Sequence, residues 1–193
     1  MKSQLERIIC DPKICSGKPC IKGTRIPVHM ILGLMAAGEN KEGIRKAYPN
    51  ITDDGILGLK KLKTLYTNDI ITDAGIQELE NLEDLYISQN SMITNIGIAK
   101  LKNLKLLEVK GNLNITDEGI CGLKNLKILN ANDVPGITDI GIRELENLKE
   151  LDASGDSGIS DIGIRALKNL TFVCSYDNPK ITIASTNKLT IEN

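Results

Sequence analysis

The chain has 193 residues, 41% hydrophobic and 25% charged, and this balance excludes an intrinsically disordered protein because it allows a sizeable apolar core. No apolar run approaches the roughly 20 residues that span a bilayer, and the first ten residues lack the apolar stretch of a secretory signal. We therefore expect a cytoplasmic, reducing location without membrane association. The net charge of −1 conceals an asymmetry, since residues 1–60 carry ten Lys/Arg against six Asp/Glu.

The first fifty residues are predicted to form a small helical domain. Glycine and proline residues interrupt the stretch before position 28, which predicts a loop and a short extended pair. Residues 28–37 are predicted to form a helix that Gly38 ends, and residues 41–48 and 53–60 are predicted to form two more. This spacing is typical of a helix-turn-helix-like bundle. The third helix coincides with the start of the repeats described below.

The stretch DPKICSGKPCIKGTRIPVHMILGLMAAGEN (11–40), followed by AYPNITDDGI (47–56), resembles a bacterial small-domain family, domain of unknown function 433. Members of that family are commonly described as antitoxins of toxin–antitoxin pairs. The resemblance implies an antitoxin-like helical domain over residues 1–50. We expect this domain to act as an N-terminal cap that covers the open apolar end of the following repeats.

The alternative role for this segment is DNA contact. Its exposed cations would bind phosphates, and the candidates are Arg25, Lys41, Arg45 and Lys46. Two carboxylates, Asp53 and Asp54, follow Thr52 at the start of the helix that would read the bases, and they would repel phosphates. The sequence therefore favours the cap, and nucleic acid is the less favoured partner.

A tripeptide repeat organises the remainder of the chain. The motif I-[TS]-[DN] recurs at 51, 71, 93, 115, 137 and 159, with a variant at 181, so its spacing is 20 and then 22 residues. The first half of each unit predicts a short helix behind a capping hydroxyl residue, and the second half alternates as a strand does. The predicted caps are Thr52, Thr72, Thr94, Thr116, Thr138 and Ser160.

The strand halves are similar to leucine-rich repeats, whose signature LxxLxLxxN occurs as Leu82-Leu85-Ile87-Asn90 and Leu104-Leu107-Val109-Asn112. The resemblance implies an α/β fold over residues 51–193. We expect a right-handed leucine-rich-repeat solenoid of about six 22-residue repeats, with a parallel concave sheet, short convex helices and a truncated C-terminal repeat. Buried asparagine amides are expected to satisfy backbone groups as a structural ladder, formed by Asn90, Asn112 and Asn178.

Strand residues between the buried leucines are predicted to form the concave face, in three columns. The first comprises Thr64, Asp84, Leu106, Ile128, Glu150 and Phe172. The central column comprises Tyr66, Tyr86, Glu108, Asn130, Asp152 and Cys174. The third comprises Asn68, Ser88, Lys110, Asn132, Ser154 and Tyr176. Exposed aromatic residues are frequent interface anchors, and the acidic residues between them favour a basic protein partner.

The partner-binding residues predicted on this face are Tyr66, Asp84, Tyr86, Glu108, Lys110, Asn130, Glu150, Asp152, Phe172 and Tyr176. We expect a non-catalytic protein–protein interaction module. The alternative is an antitoxin-like regulator whose first domain contacts DNA while the repeats bind a protein.

The sequence does not favour a metal site, a nucleotide site or a catalytic site. Cys10, Cys15 and Cys20 could form a zinc site with His29, but no CxxC pair is present, so we expect free thiols and no metal. The glycine-rich stretch 17–24 lacks the Gly-Lys-Ser/Thr of a phosphate loop. One histidine gives no marked catalytic arrangement, so we expect no enzyme activity, no cofactor and no small-molecule substrate.

Overall fold

A computed structural model describes residues 8–9, 12–15, 20–52, 59–67, 71–89, 91–182 and 190–192. The N-terminal part contains two antiparallel strands, β1 (Ile8–Ile9) and β2 (Cys20–Ile21), and two helices, α1 (Val28–Ala36) and α2 (Lys41–Ala47). Short strands and helices then alternate: β3 (Thr64–Tyr66), α3 (Asp73–Ile76), β4 (Asp84–Tyr86), α4 (Asn95–Ile98), β5 (Leu106–Glu108), α5 (Asp117–Ile120), β6 (Ile128–Asn130), α6 (Asp139–Ile142), β7 (Glu150–Asp152), α7 (Asp161–Ala166), β8 (Phe172–Cys174) and β9 (Thr190–Glu192).

Helices α1 and α2 lie in the stretches where two of the three N-terminal helices are predicted. After α1, Gly38 takes a φ of +83°, the left-handed conformation that glycine adopts readily at a helix end. The side chain of Asn40 accepts a hydrogen bond from the Gly43 N–H at 2.9 Å and so caps α2. The predicted third helix begins at residues 53–58, which lie outside the described residues.

Strands β3 to β9 form one parallel sheet in chain order, which confirms the predicted sheet of the repeats. Equivalent residues of successive repeats lie level with each other, as Leu65, Leu85 and Leu107 do across β3, β4 and β5. Because the register is constant, one residue type can form a continuous column along the sheet. The described helices include none that is both long and apolar enough to cross a membrane.

The core is a continuous stack of leucine and isoleucine side chains. In one repeat Leu101, Leu104, Leu107 and Val109 are fully buried, which matches the predicted alternation of the strand half. Each such side chain contributes about 1.5–3 kcal/mol by leaving water. The same cluster includes Ile31 and Leu32 of α1, so the N-terminal helix packs against the repeats.

A second set of contacts joins the coils through the I-[TS]-[DN] motif. The Asp73 carboxylate reaches into the next repeat, where it accepts hydrogen bonds from the Thr94 backbone N–H and hydroxyl, both at 2.7 Å. The same pairing recurs along the chain in Asp117 with Thr138, Asp139 with Ser160 and Asp161 with Thr182. We call this series the Asp–Thr ladder. In each of these coils the ladder provides an acceptor for the backbone N–H of the motif Thr or Ser. The sequence pattern did not predict this contact.

The predicted helix caps differ from one coil to the next, and the difference follows the residue that contacts each capping hydroxyl. Thr94, Thr138 and Ser160 donate to a carboxylate and, as predicted, accept from the N–H two residues later. Asn95 replaces the aspartate before Thr116, and its amide donates to the Thr116 hydroxyl at 2.7 Å. Thr116 makes no capping bond, so the cap prediction is wrong there, as it is for Thr72.

The motif glycine lies against the ladder of the preceding coil. A Cβ added at Gly119 would lie 2.6 Å from Asn95 Oδ1 and 3.0 Å from Ile98 Cδ1. Added Cβ atoms would overlap the ladder aspartate in the same way at three further glycines, Gly97, Gly141 and Gly163. Glycine costs about 1 kcal/mol relative to alanine inside a helix, and the close approach of two coils explains its use here.

Asparagine side chains join the coils at two other places. One set, Asn81, Asn103, Asn125, Asn147 and Asn169, donates its side-chain amide to a backbone carbonyl of the preceding coil at 2.8–2.9 Å. The LxxLxLxxN position supplies the other. There Asn112 is fully buried, donates to Ser88 O at 3.3 Å and accepts from Asn114 N at 2.9 Å.

Asn178 is 5% exposed and donates to Ala153 O at 2.7 Å. The predicted ladder residue Asn90 lies outside the described residues. Val134 fills the equivalent position of another repeat and is buried.

Candidate functional site

The parallel sheet brings the predicted concave columns together. The pairing of β4, β5, β6 and β7 places Tyr86, Glu108, Asn130 and Asp152 at the same level of successive strands. Within each of these strands the residue between the two column positions is a buried leucine. Side chains of the central column are therefore not needed for the core, and the structure leaves them on the opposite face of the sheet.

Two tyrosines form one end of the central column. The rings of Tyr66 and Tyr86 stack with their centroids 4.2 Å apart and their planes 8° from parallel. Tyr66 is 62% exposed, whereas Tyr86 is half-buried beneath it. Burial raises the pKa of the Tyr86 hydroxyl, as do the neighbouring Tyr66 hydroxyl and the charges of Asp84 and Glu108. The pair presents a flat aromatic surface beside carboxylates.

Carboxylate and amide groups continue the column. Glu108 accepts a hydrogen bond from the Lys110 N–H at 3.4 Å and another from the Asn130 side chain. Asp152 accepts one from the Ser154 N–H at 3.0 Å. Burial raises the pKa of Glu108, and the negative charge of Asp152 raises it further against the opposing effect of these hydrogen bonds. The middle of the column is therefore a partly desolvated acidic patch.

The flanking columns differ from the prediction in part. Phe172 in the first column is half-buried, so only Tyr66 and Tyr176, at 66%, are the strongly exposed aromatics. Ser154 of the third column is buried at 4% exposure, and its hydroxyl lies 3.3 Å from Cys174 Sγ. Its predicted exposure is wrong because this short side chain lies against Cys174, whereas the longer Tyr176 at the equivalent position of the next repeat is exposed. Asn68 lies outside the described residues.

The remaining predicted contacts lie within these columns. Glu150 is exposed, Asp84 is half-buried and accepts a hydrogen bond from the Thr64 hydroxyl at 3.0 Å, and Lys110 is exposed next to the central column. The Oδ1 atom of Asn132 is buried and accepts no hydrogen bond within the described part of the chain.

A lysine-rich edge borders the first column where the strands begin. Lys63, Lys105, Lys127 and Lys149 occupy the residue before their strands, and Glu83 occupies that position in β4. Glu83 pairs with Lys105 and with Lys63, and the latter contact measures 2.5 Å. Hydrogen bonds from these two lysines lower the pKa of Glu83 to about 2. Sequence reasoning missed the cluster of Glu83 with Lys63 and Lys105 because these three residues lie in three different repeats.

The four candidate DNA-contact residues are all exposed. Lys41, Arg45 and Lys46 belong to α2, while Arg25 lies in the separate segment that follows β2. Neither Cys15 nor Cys20 forms a disulfide bond with another described cysteine, and Cys20 is fully buried in β2. Cys10 lies outside the described residues. Within the residues that the structure covers, no group of three potential metal ligands comes together.

Exposed apolar residues also occur away from the sheet. A groove of about 450 Å³ lies between α1 and the first described repeat helix and is lined by residues that include Met30, Leu34 and Tyr48. Along the repeat helices, Ile96, Ile140 and Ile162 are 69%, 64% and 74% exposed. These side chains occupy one equivalent position, directly after the ladder residue at the start of each helix.

Known proteins are similar to this chain in two respects, one in the sequence of its N-terminal segment and one in the structure of its repeats. Residues 8–59 match the family model described as "Protein of unknown function (DUF433)". Internalin C2 from Listeria monocytogenes has a similar structure, with a TM-score of 0.60 and 25% identity over 86% of this chain and 73% of that chain. The yeast Rad7–Elc1 complex contains another, with a TM-score of 0.58 and 23% identity over 73% of this chain.

This chain spans 44% of the length of the matched chain in the Rad7–Elc1 complex. No curated protein matches the sequence. The structural neighbours establish the leucine-rich-repeat fold of the repeats, and the family match identifies residues 8–59 as a segment similar to domain of unknown function 433.

Proposed function

We propose that this chain is a non-catalytic protein-interaction module whose concave face binds a macromolecular partner. The observation that carries the proposal is the continuous central column, in which the exposed, stacked Tyr66–Tyr86 pair adjoins Glu108, Asn130 and Asp152. Aromatic residues next to partly desolvated polar groups are typical of interface centres. One structural neighbour is a chain of the yeast Rad7–Elc1 complex, a use of the fold that supports this proposal.

The test removes two side chains from the proposed surface. The double variant Tyr86→Ala/Asp152→Ala should lose the protein that the wild-type chain captures from its native host, since both an anchor and a charge are gone. The matched control, Glu118→Ala/Ile140→Ala, removes one acidic and one apolar side chain from the repeat helices, where both are exposed. Equal capture by the two double variants would contradict binding through the concave face.

We propose in addition that residues 1–50 cap the solenoid, with residues 51–193 as the repeat domain. The carbonyl oxygen of Leu32 in α1 lies 3.0 Å from a Cβ added at Gly75, at the position where an aspartate or asparagine faces the motif glycine in later coils. Helix α1 thus packs on the first described repeat helix much as another coil would. An uncovered end of a repeat stack exposes apolar surface, which a polar-faced cap prevents.

Hydrogen exchange of the full-length chain tests the cap. Leu32→Asp places a charge in the interface and should reduce amide protection at Leu65 and Leu85, near the cap, more than at Leu151. Met30→Asp serves as the control because Met30 lies on the same helix but is 41% exposed. Unchanged protection at Leu65 in the Leu32→Asp variant would refute the capping role.

The second candidate is an antitoxin-like regulator that contacts DNA through its N-terminal domain. It is favoured by the three exposed cations on α2, Lys41, Arg45 and Lys46, with Arg25 nearby in sequence. If these residues bind phosphates, replacing the three on α2 with alanine should reduce the slope of log K against log salt by about 0.9 per lost contact. Absence of DNA retention by the wild-type chain at low salt would exclude this candidate.

A further inference from the structure

Glu108 is a partly buried carboxylate that forms no salt bridge with any described residue. Its hydrogen-bond partners are the Lys110 backbone N–H at 3.4 Å and the Asn130 side chain. No lysine or arginine nitrogen of the described residues forms a salt bridge with it, and the charge of Asp152 opposes its own. Removing a charge from water is costly unless hydrogen bonds or an opposite charge compensate it, and here the two hydrogen bonds and the charge of Lys110 compensate it only in part, because the pKa of Glu108 remains raised.

The nearby Glu83 provides an internal comparison. That carboxylate lies at the lysine-rich edge, where both Lys63 and Lys105 pair with it. The charge on Glu83 is therefore balanced within the chain. Two lysines flank β5, Lys105 and Lys110. Lys105 pairs with Glu83, while Lys110 donates its backbone N–H to Glu108 and attracts it by charge without forming a salt bridge. Among the described residues, no cation pairs directly with Glu108 as Lys63 and Lys105 pair with Glu83, so a cation of the partner could form that pair.

The tyrosine pair indicates which cation fits. Tyr86 lies level with Glu108 on the neighbouring strand, and adjacent strands lie about 4.8 Å apart. A guanidinium group is planar, stacks on aromatic faces and donates two parallel hydrogen bonds to a carboxylate. An ammonium group is a compact, strongly hydrated charge and cannot satisfy both neighbours in this way.

We propose that the concave face recognises an arginine side chain on an extended segment of the partner protein, with its guanidinium against the Tyr66–Tyr86 pair and hydrogen-bonded to Glu108. Asp152, two strands further along, adds attraction for the same positive segment. The lysine-rich edge repels basic residues that extend past the first column, and this fixes the position of the segment on the sheet. This proposal rests on the proposed function and specifies the chemistry of its partner.

The test uses three short peptides, acetylated and amidated at their ends, of sequence Gly-Ser-X-Ser-Gly, with X as arginine, lysine or citrulline. Citrulline keeps the planar shape of arginine and removes its charge. NMR titration of the full-length chain should give tighter binding of the arginine peptide than of the citrulline peptide by about fivefold to thirtyfold, as expected when a cation–π contact and a charge-assisted hydrogen bond act together. The largest shifts should occur at Tyr66, Tyr86, Glu108 and Lys110.

Two substitutions make the result specific. Glu108→Gln should reduce arginine-peptide binding to the citrulline level, while Glu118→Gln, an exposed control on α5, should leave it unchanged. The Glu108→Gln variant should also melt at or above the wild-type temperature at pH 7, because burial disfavours the charge that it removes. Loss of binding in a variant of undiminished stability cannot be ascribed to misfolding.

The outcomes separate this inference from the proposed function. Equal affinity for the arginine and citrulline peptides, or shifts confined to other regions, would overturn the arginine site. If Tyr86→Ala/Asp152→Ala still abolishes capture of the native partner in that case, the concave face binds a protein by other chemistry. If that double variant captures the partner normally, the proposed function fails as well.

Discussion

Replacement of the motif glycine with alanine should destabilise the solenoid through the neighbouring coil. In Gly119→Ala the new methyl group would lie 2.6 Å from Asn95 Oδ1, so the Asn95 side chain has to move. That movement breaks its bonds to the Thr116 N–H at 2.9 Å and the Thr116 hydroxyl at 2.7 Å. Two hydrogen bonds at roughly 0.5–1.5 kcal/mol each, together with overpacking of about 1–3 kcal/mol, outweigh the helix-propensity gain of about 1 kcal/mol.

The expected net loss is about 2 kcal/mol, which corresponds to a fall in Tm of roughly 4–8 °C for a chain of this size. Urea and thermal denaturation followed by circular dichroism measure it. Gly122→Ala is the control, since a Cβ at Gly122 contacts only the terminal atoms of the flexible Lys102 side chain. That variant should unfold within about 0.5 kcal/mol of wild type.

A double-mutant cycle tests the stated cause. In an Asn95→Ala background the obstructing amide and its hydrogen bonds are already absent and the 3.0 Å contact with Ile98 Cδ1 remains, so Gly119→Ala should cost clearly less there. The coupling energy should therefore be at least about 1 kcal/mol. If Gly119→Ala costs the same in both backgrounds, displacement of the Asn95 side chain is not the cause of the loss and the reasoning fails.

Three further outcomes follow from the same contacts. Asn112→Leu should lower the unfolding free energy by about 1–3 kcal/mol in urea melts by leaving buried backbone groups unpaired, and an unchanged midpoint would contradict this. Asn95→Asp should raise it by about 0.5–1 kcal/mol, because the Thr116 hydroxyl could then donate to the carboxylate and cap α5; a lower Tm would refute that account. The difference in unfolding free energy between wild type and Glu83→Gln should be constant above pH 4.5 and should shrink as the pH falls towards 2. The reason is that folding lowers the pKa of the Glu83 carboxyl from 4.5 to about 2. A difference that does not change in acid would argue against the pairing with Lys63 and Lys105.

The repeat architecture could be predicted because its signals are local. Alternation places Leu85 and Ile87 on the buried face, and the constant spacing of the repeats sets the register of β4 and β5. The three columns follow from those two facts. Exposure at the column ends could not be predicted, since the burial of Ser154 depends on its contact with Cys174, which lies 20 positions away in the next repeat.

Contacts between coils were not predictable from the same pattern. The pairing of Asp117 with Thr138 joins residues 21 positions apart, and it depends on how far each coil is displaced relative to the next. Alternation and capping rules describe one coil and contain no such displacement. One available signal was Gly119 and its equivalents, which lie inside short helices where no turn requires glycine, an arrangement that marks a close approach of backbone to a neighbour.

The same limitation applies to Glu108. Its sequence neighbours predict an exposed acidic residue, but its partial burial and its lack of a cation result from strands that lie on either side of it. The surroundings of a charge in a stacked sheet are thus decided by residues about 22 positions away in either direction.

The Asp–Thr ladder has an evolutionary consequence. Every bond of this type joins the motif aspartate of one coil to the motif hydroxyl residue of the following coil. Duplication or loss of a whole 22-residue unit by recombination would therefore recreate the same bonds at the new junction. Any other insertion between ladder residues would leave a carboxylate and a backbone amide unmatched. Viable length variants of this protein should accordingly differ by integral numbers of coils, and the width of the proposed concave binding face should change in the same discrete steps.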